Sequence, residues 1–291
     1  MTLFDSLDAQ SEQSEKRETI VKAPFSYPGG KSRSVKYIME HLPVRKVWVE
    51  VFGGSAVITL NRPKSKLEVF NDRHSGVTDF YRCMRDRVLF DRLCAWLDNT
   101  LHSREEFLAN RDTWQDQKDP VERAGRWFAM VNYSFGSLGR NWGRSTGGDG
   151  SLAGKIRNGL RSLPEIHDRF KQVQIENADW SNILRDYDSV DTVFYLDPPY
   201  VDAFRGTYEY EMSIEQHTKL IETIFTLKGF VAISGYPNPL YDKQPWDKVF
   251  HWDVRSTAKA LAFTDENNKS HGDTNRGDAT EKLWIKESNA H

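Results

Sequence analysis

The chain has 291 residues, 38% of them hydrophobic, and its 40 Lys and Arg nearly balance 42 Asp and Glu for a formal net charge of −2. This suffices for one large domain or a domain with a sizeable insertion. It leaves any nucleic-acid partner to be judged from where the charges lie. The absence of an apolar run of about 18 residues argues against a membrane span, and the only two cysteines, Cys83 and Cys94, suit buried thiols in a reducing compartment, not a disulfide framework or metal site.

In chain order, residues 1–20 are polar and acidic and read as a tail. They lack the basic-then-apolar order of a signal peptide, so the expected location is the cytosol. The segment Phe25-Ser26-Tyr27-Pro28-Gly29-Gly30-Lys31 places a Gly-Gly turn between an aromatic residue and a lysine. From Lys46 onward, strand–turn–helix units follow one another. Val47 to Val51 forms a strand that meets Gly53-Gly54 and opens a helix at Ala56, and Leu67 to Phe70 is a strand ending at Asn71-Asp72. Val77, Tyr81, Met84 and Val88 then fall on one helical stripe. Residues 85–172, rich in helix formers and then in Gly and Arg, read as a mostly helical inserted second domain between segments 21–84 and 173–291, which carry the strand–helix units.

Past the insertion, Val193 to Leu196 is a strand stopped by Asp197-Pro198-Pro199-Tyr200. Ser213 and Gln216 make a capping box for a helix with Ile214, His217, Leu220, Ile221 and Ile224 at helical spacing. Phe230 to Ile233, Val249 to Val254 and Leu283 to Ile285 are further strands. Thr264 to Glu281 has no large apolar side chain and is expected to be a mobile loop. Strands alternating with helices imply an α/β fold with a parallel sheet covered on both faces.

In such sheets ligands bind beyond the carboxyl ends of the strands, where strand order reverses. Two glycines just after a strand admit a ligand close to the backbone, and Asp72, 18 residues beyond Gly54, lies near the offset at which an acid reaches ribose hydroxyls. A nicotinamide cofactor would fit this pattern nearly as well, although Ala56 breaks the full dinucleotide fingerprint. The Gly29-Gly30 turn can present amides to a carboxylate with Lys31 nearby, or simply lead into a helix.

Asp197-Pro198-Pro199-Tyr200 is the most informative segment. Two prolines keep the backbone out of helix, so that Asp197 and the Pro198 carbonyl can both accept hydrogen bonds from a planar amine. Tyr200 offers a face on which an extruded base can stack; the plainer reading is a rigid turn ending a strand. Between Tyr133 and Leu163, Arg140, Arg144, Lys155, Arg157 and Arg161 stand against a single acid, Asp149, in a glycine-rich run. With Asn141, these residues are the candidate DNA-binding set, a basic hairpin and loop whose binding would weaken steeply with salt; the plainer reading is a solvated basic loop.

Together, Tyr27-Pro28-Gly29-Gly30-Lys31, Phe52-Gly53-Gly54-Ser55-Ala56, Asn71-Asp72 and Asp197-Pro198-Pro199-Tyr200, in this order, resemble the Dam-type, class alpha, adenine-specific DNA methyltransferases over residues 22–286. The resemblance implies a Rossmann-like methyltransferase sheet with an inserted, mostly helical DNA-recognition domain, S-adenosylmethionine as cofactor, no metal, and transfer to the N6 amine of an adenine flipped out of double-stranded DNA. It implies a cofactor site of Tyr27, Pro28, Lys31, Phe52, Gly54, Ser55, Asp72, Asp179 and Asp197, with Asp179 in a segment Glu176 to Trp180 beside the adenosine ring. Asp197, Pro198 and Tyr200 would be catalytic. It also implies the cytoplasm of a bacterial, archaeal or phage-infected cell and no obligate protein partner. Val51 and Ala56 depart from the usual proline and last glycine of the glycine motif. Asn132-Tyr133-Ser134-Phe135-Gly136 follows the family only loosely, so the target sequence is not transferable. The competing readings are methylation of the exocyclic amine of cytosine, an RNA-directed methyltransferase, and a catalytically silent DNA-binding module. Asp197→Ala is expected to abolish transfer while leaving the fold intact.

Overall fold

The computed structural model describes residues 20–144, 154–201, 210–255, 263–264, 270–271 and 278–288. Its centre is a seven-stranded sheet built from β1 (Val47–Glu50), β2 (Leu67–Asn71), β3 (Gln174–Glu176), β4 (Thr192–Leu196), β5 (Phe230–Gly235), β6 (Lys248–Arg255) and β9 (Asp278–Lys286); β7 (Phe263–Thr264) and β8 (Ser270–His271) form a separate two-stranded ladder. The strand order is β3-β2-β1-β4-β5-β9-β6. β1 pairs in parallel with β2 on one side and with β4 on the other, so Val47 is the partner of both Leu67 and Thr192. Chain order therefore reverses between β1 and β4, and their carboxyl ends frame the crevice in which such sheets bind ligands.

Side-chain alternation assigns the two faces of the sheet. Phe194, Leu196, Val231 and Ile233 point into a core completed by α9 (Trp180–Asp186) and α10 (Ile214–Thr226). Their neighbours Val193, Tyr195, Phe230 and Ala232 point the opposite way, against α1 (Val35–Met39) and α2 (Val57–Asn61). β4 and β5 are buried along their whole length, which is why they read in the sequence as continuous apolar runs.

The α-helices between β2 and β3 are α3 (Ser75–Arg85), α4 (Arg87–Asp98), α5 (Arg104–Thr113), α6 (Pro120–Tyr133), α7 (Lys155–Leu160) and α8 (Leu163–Phe170) among the described residues. Their starts are set by local chemistry: the Asp86, Ser103 and Asp119 side chains accept backbone N–H bonds at the starts of α4, α5 and α6, with Pro120 at the first turn of α6. These helices share one apolar cluster with Phe70 of the sheet and with Phe25, so the helical stretch packs onto the sheet through a common core.

Four expectations are corrected. The sheet is not wholly parallel, because β9 runs antiparallel between β5 and β6. Thr264–Glu281 is not uniformly loop: β9 begins at Asp278, and its first residues are paired with the end of β6 (Arg255↔Asp278, Asp253↔Thr280) by backbone bonds that need no apolar side chain. The remainder of that stretch, apart from β7 and β8, lies outside the described residues, as do residues 1–19. The stripe Val77, Tyr81, Met84, Val88 breaks at Asp86, whose cap ends one helix and starts the next; the first three are buried, and Val88 is exposed. Ile214 opens α10 but faces solvent, while His217, Leu220, Ile221 and Ile224 are buried. Cys83 and Cys94 are free thiols on separate helices, and burial pushes them up to about 12 and about 11.

Candidate active site

The carboxyl ends of β1, β2 and β4 converge on one cleft of ≈310 Å³, lined among others by Tyr27, Lys31, Gly54, Asp72, Asp197 and Pro199. Each wall has a local cause. Gly53 follows β1 so closely under the sheet that a Cβ there would lie 2.2 Å from the Phe70 ring, and at Gly54 one would lie 2.9 Å from the Tyr27 ring at a φ of +49°. Ala56 takes φ 58°, which explains why a glycine is usual at this position; the alanine holds the same turn at a cost of about 1–2 kcal/mol. Asp72 fixes the glycine turn, its Oδ2 accepting from the Gly54 N–H at 2.7 Å and its Oδ1 from the His74 N–H at 2.7 Å. Asn71 ties the strand ends together, donating to the Val51 carbonyl at 2.8 Å and accepting from the Ala178 N–H at 2.9 Å.

On the other side stands a charged network. The Lys31 ammonium, only 3% exposed, contacts both Asp197 oxygens at 2.7 and 2.8 Å and donates to the Tyr200 hydroxyl at 2.6 Å and the Gly29 carbonyl at 2.8 Å. Burial pulls the Lys31 pKa down, but the Asp197 and Glu281 carboxylates outweigh it and hold the ammonium above its usual range. Burial raises Asp197, opposed by Lys31 and by the Ser234 hydroxyl, which donates to Oδ1 at 3.0 Å and is itself 2.8 Å from the Tyr195 hydroxyl. The ring of Tyr200 meets Tyr236 at a centroid distance of 4.5 Å.

Glu50, at the end of β1, is a further carboxyl lining the cleft, and no motif in the sequence singles it out. Burial lifts its pKa to about 8 against two hydrogen bonds from Thr59. The native state therefore holds this proton where the unfolded chain has released it. The associated stability is complete below the unfolded carboxyl pKa and is lost as pH rises towards about 8. Glu50→Gln is expected to flatten that part of the stability–pH curve and to melt above the wild type at the alkaline end; identical slopes for the two proteins in thermal melts would refute it.

A sequence model of the D12 class N6 adenine-specific DNA methyltransferases matches residues 27–251. The chain belongs to this family. No curated protein matched it. The methyltransferase thus brings Tyr27, Pro28, Lys31, Phe52, Gly54, Ser55, Asp72 and Asp197 to one cleft, 166 residues separating Lys31 from Asp197. Pro198 is buried behind the lining, and Pro199 faces the space. Asp179 is not among the lining residues. Its Oδ2 pairs with Arg73 at 2.6 Å and its Oδ1 caps α9, so Arg73 and Trp180 form that wall.

Among the residues assigned to DNA, Arg140, Asn141, Arg144, Arg157 and Arg161 are exposed. A tight turn presents the first two: Ser134 bridges Trp142 antiparallel, the Phe135 N–H donates to the Asn141 carbonyl at 2.7 Å, and Gly136, Ser137 and Gly139 all take positive φ. Lys155 instead turns inward, donating to the Asn132 carbonyl at 3.1 Å and the Ser137 hydroxyl at 3.4 Å, so its ammonium braces the turn. Burial lowers its pKa accordingly. Arg157 lies 3.6 Å from Asp98. The glycine-rich run 145–153, with Asp149, lies outside the described residues.

Proposed function

We propose that this adenine-specific DNA methyltransferase takes S-adenosylmethionine as donor and acts on an adenine swung out of duplex DNA into the cleft. The convergence of Lys31, Asp72 and Asp197 at the β1/β4 crevice carries this reading. The donor set fits such a ligand. Asp72 stands at the end of β2 where an acid meets ribose hydroxyls, glycines keep the cradle open beside the Tyr27 ring, and Lys31 with the Gly29-Gly30 turn offers positive charge to a carboxylate. Bound there, S-adenosylmethionine would supply an electrophilic methyl group.

The protein's own part is placement. Asp197 and the Pro198 carbonyl accept the two amine hydrogens, which draws the nitrogen lone pair out of ring conjugation and aims it into the cleft. Tyr200 gives the base a stacking surface worth about 1–3 kcal/mol. A base inside the helix cannot reach these groups, so it must be extruded. Digestion of treated duplex DNA to nucleosides tests the reading. N6-methyladenine formed only with S-adenosylmethionine is the expected product, and N4-methylcytosine, or methylation of RNA alone, would overturn it.

Residues 85–172 serve in this proposal as the target-recognition insertion, with the turn carrying Arg140 and Asn141 set against the duplex and Arg144, Arg157 and Arg161 on phosphates or base edges. Removing one phosphate-binding side chain should lower the slope of log affinity against log salt by about 0.9. Arg140→Ala combined with Arg144→Ala is therefore expected to bind DNA more weakly and with a shallower salt dependence. A slope equal to the wild type's, read from binding titrations, would remove these two side chains from the footprint.

A further inference from the structure

Behind Lys31, away from the cleft lining, stands a second carboxylate that the proposed chemistry does not use. Glu281 lies on β9, opposite Trp252 of β6, and is 6% exposed. The Ser34 hydroxyl donates to its Oε2 at 3.2 Å and in turn accepts from the Trp252 indole N–H at 2.9 Å. Its Oε1 is 3.9 Å from the Lys31 ammonium, and the Tyr200 hydroxyl also bonds to it. Lys31 is thus held between two acids, Asp197 in front and Glu281 behind. Around Lys31 the structure sets one ammonium against two carboxylates, Asp197 at 2.7 Å and Glu281 at 3.9 Å. Burying an acid at such a place is costly where a glutamine would fill the same volume, so its charge requires an account.

We propose that Glu281 is a positioning residue of the methyltransferase: its buried carboxylate, 3.9 Å behind the Lys31 ammonium, offsets that positive charge and so favours a cationic sulfonium donor over its neutral thioether product. This rests on S-adenosylmethionine being the donor. The two ligands differ at the sulfur by one methyl group and one positive charge. A charge behind Lys31 therefore acts on their affinity ratio, whereas a fault in packing weakens both alike.

The test is calorimetric titration of the wild type, Glu281→Gln and Glu281→Asp with S-adenosylmethionine and with S-adenosylhomocysteine, with a thermal melt of each protein. Glu281→Gln should lose about three- to ten-fold of the preference for the sulfonium, with thioether affinity unchanged. Glu281→Asp, which keeps the charge, should recover part of that preference. An unchanged ratio, or equal weakening of both ligands, overturns the role of Glu281. Failure of the wild type to bind either ligand would instead strike at the S-adenosylmethionine reading itself.

Discussion

Asp197→Ala is expected to lower the rate of methyl transfer by about 10³-fold or more, the scale on which removing one preorganised polar group from a reacting centre is felt. Asp197 lines the cleft and brings a side-chain acceptor to the turn from Asp197 to Tyr200; in the proposed reaction the Pro198 carbonyl alone could not hold both amine hydrogens. The structure changes what should happen to stability. Lys31 is almost fully buried, and Asp197 is its principal counter-charge at 2.7 Å, leaving Glu281 at 3.9 Å once the carboxylate is gone. Stranding a buried charge costs up to about 3–5 kcal/mol, so the variant should melt earlier, contrary to the intact fold expected from sequence. Asp197→Asn separates the two effects. Its amide oxygen can still accept one hydrogen bond, so it should retain more activity than the alanine while losing the ion pair. Single-turnover rates ordered wild type, then Asn, then Ala support this role, and an alanine variant turning over at near wild-type rate would remove Asp197 from the chemistry.

The parts of the fold that were legible in sequence are those where one residue pattern has one physical solution. β4 and β5 announce themselves because strands buried on both faces read as nearly continuous apolar runs, and the capping box at Ser213 and Gln216 forms as read. The site was legible at its turns, Gly53-Gly54 and Asp197 to Tyr200, since glycine and proline restrict the backbone locally. What stayed hidden depends on distant partners. β3 is three residues long and incompletely buried, and only its pairing with β2 makes it a strand. Glu281 sits in a polar stretch without apolar pattern, and its place at the site comes from the antiparallel β9 register, 250 residues along the chain from Lys31. Asp179 entered the cofactor set through the resemblance alone, and its pairing with Arg73 depends on a partner 106 residues away. Lys155 and Arg140 are alike in a count of positive charge, but one braces the turn from within and the other is exposed on it.

Lys31→Met should produce the other large effect, and its signature is in the pH dependence. The lysine donates to Asp197, Tyr200 and the Gly29 carbonyl and lies between two carboxylates. An apolar chain of similar length fills its volume but leaves Asp197 and Glu281 facing each other without a counter-charge, a penalty of about 3–5 kcal/mol near neutral pH. Burial already raises both acids above their ordinary values even with Lys31 present. Without it they rise further, so the native variant binds protons that the unfolded chain has given up. Stability then falls as pH rises from the unfolded carboxyl values through the folded ones. The melting temperature of Lys31→Met should therefore lie far below the wild type at about pH 8 and close on it towards about pH 5, as protonation relieves the repulsion. Adding Asp197→Asn to Lys31→Met should restore part of the stability at the alkaline end, because one of the two opposed charges is gone and the sites are coupled. Melting curves that stay parallel across the whole pH range would mean that Lys31 contributes packing and not charge, and the electrostatic account of this cluster would fail with them.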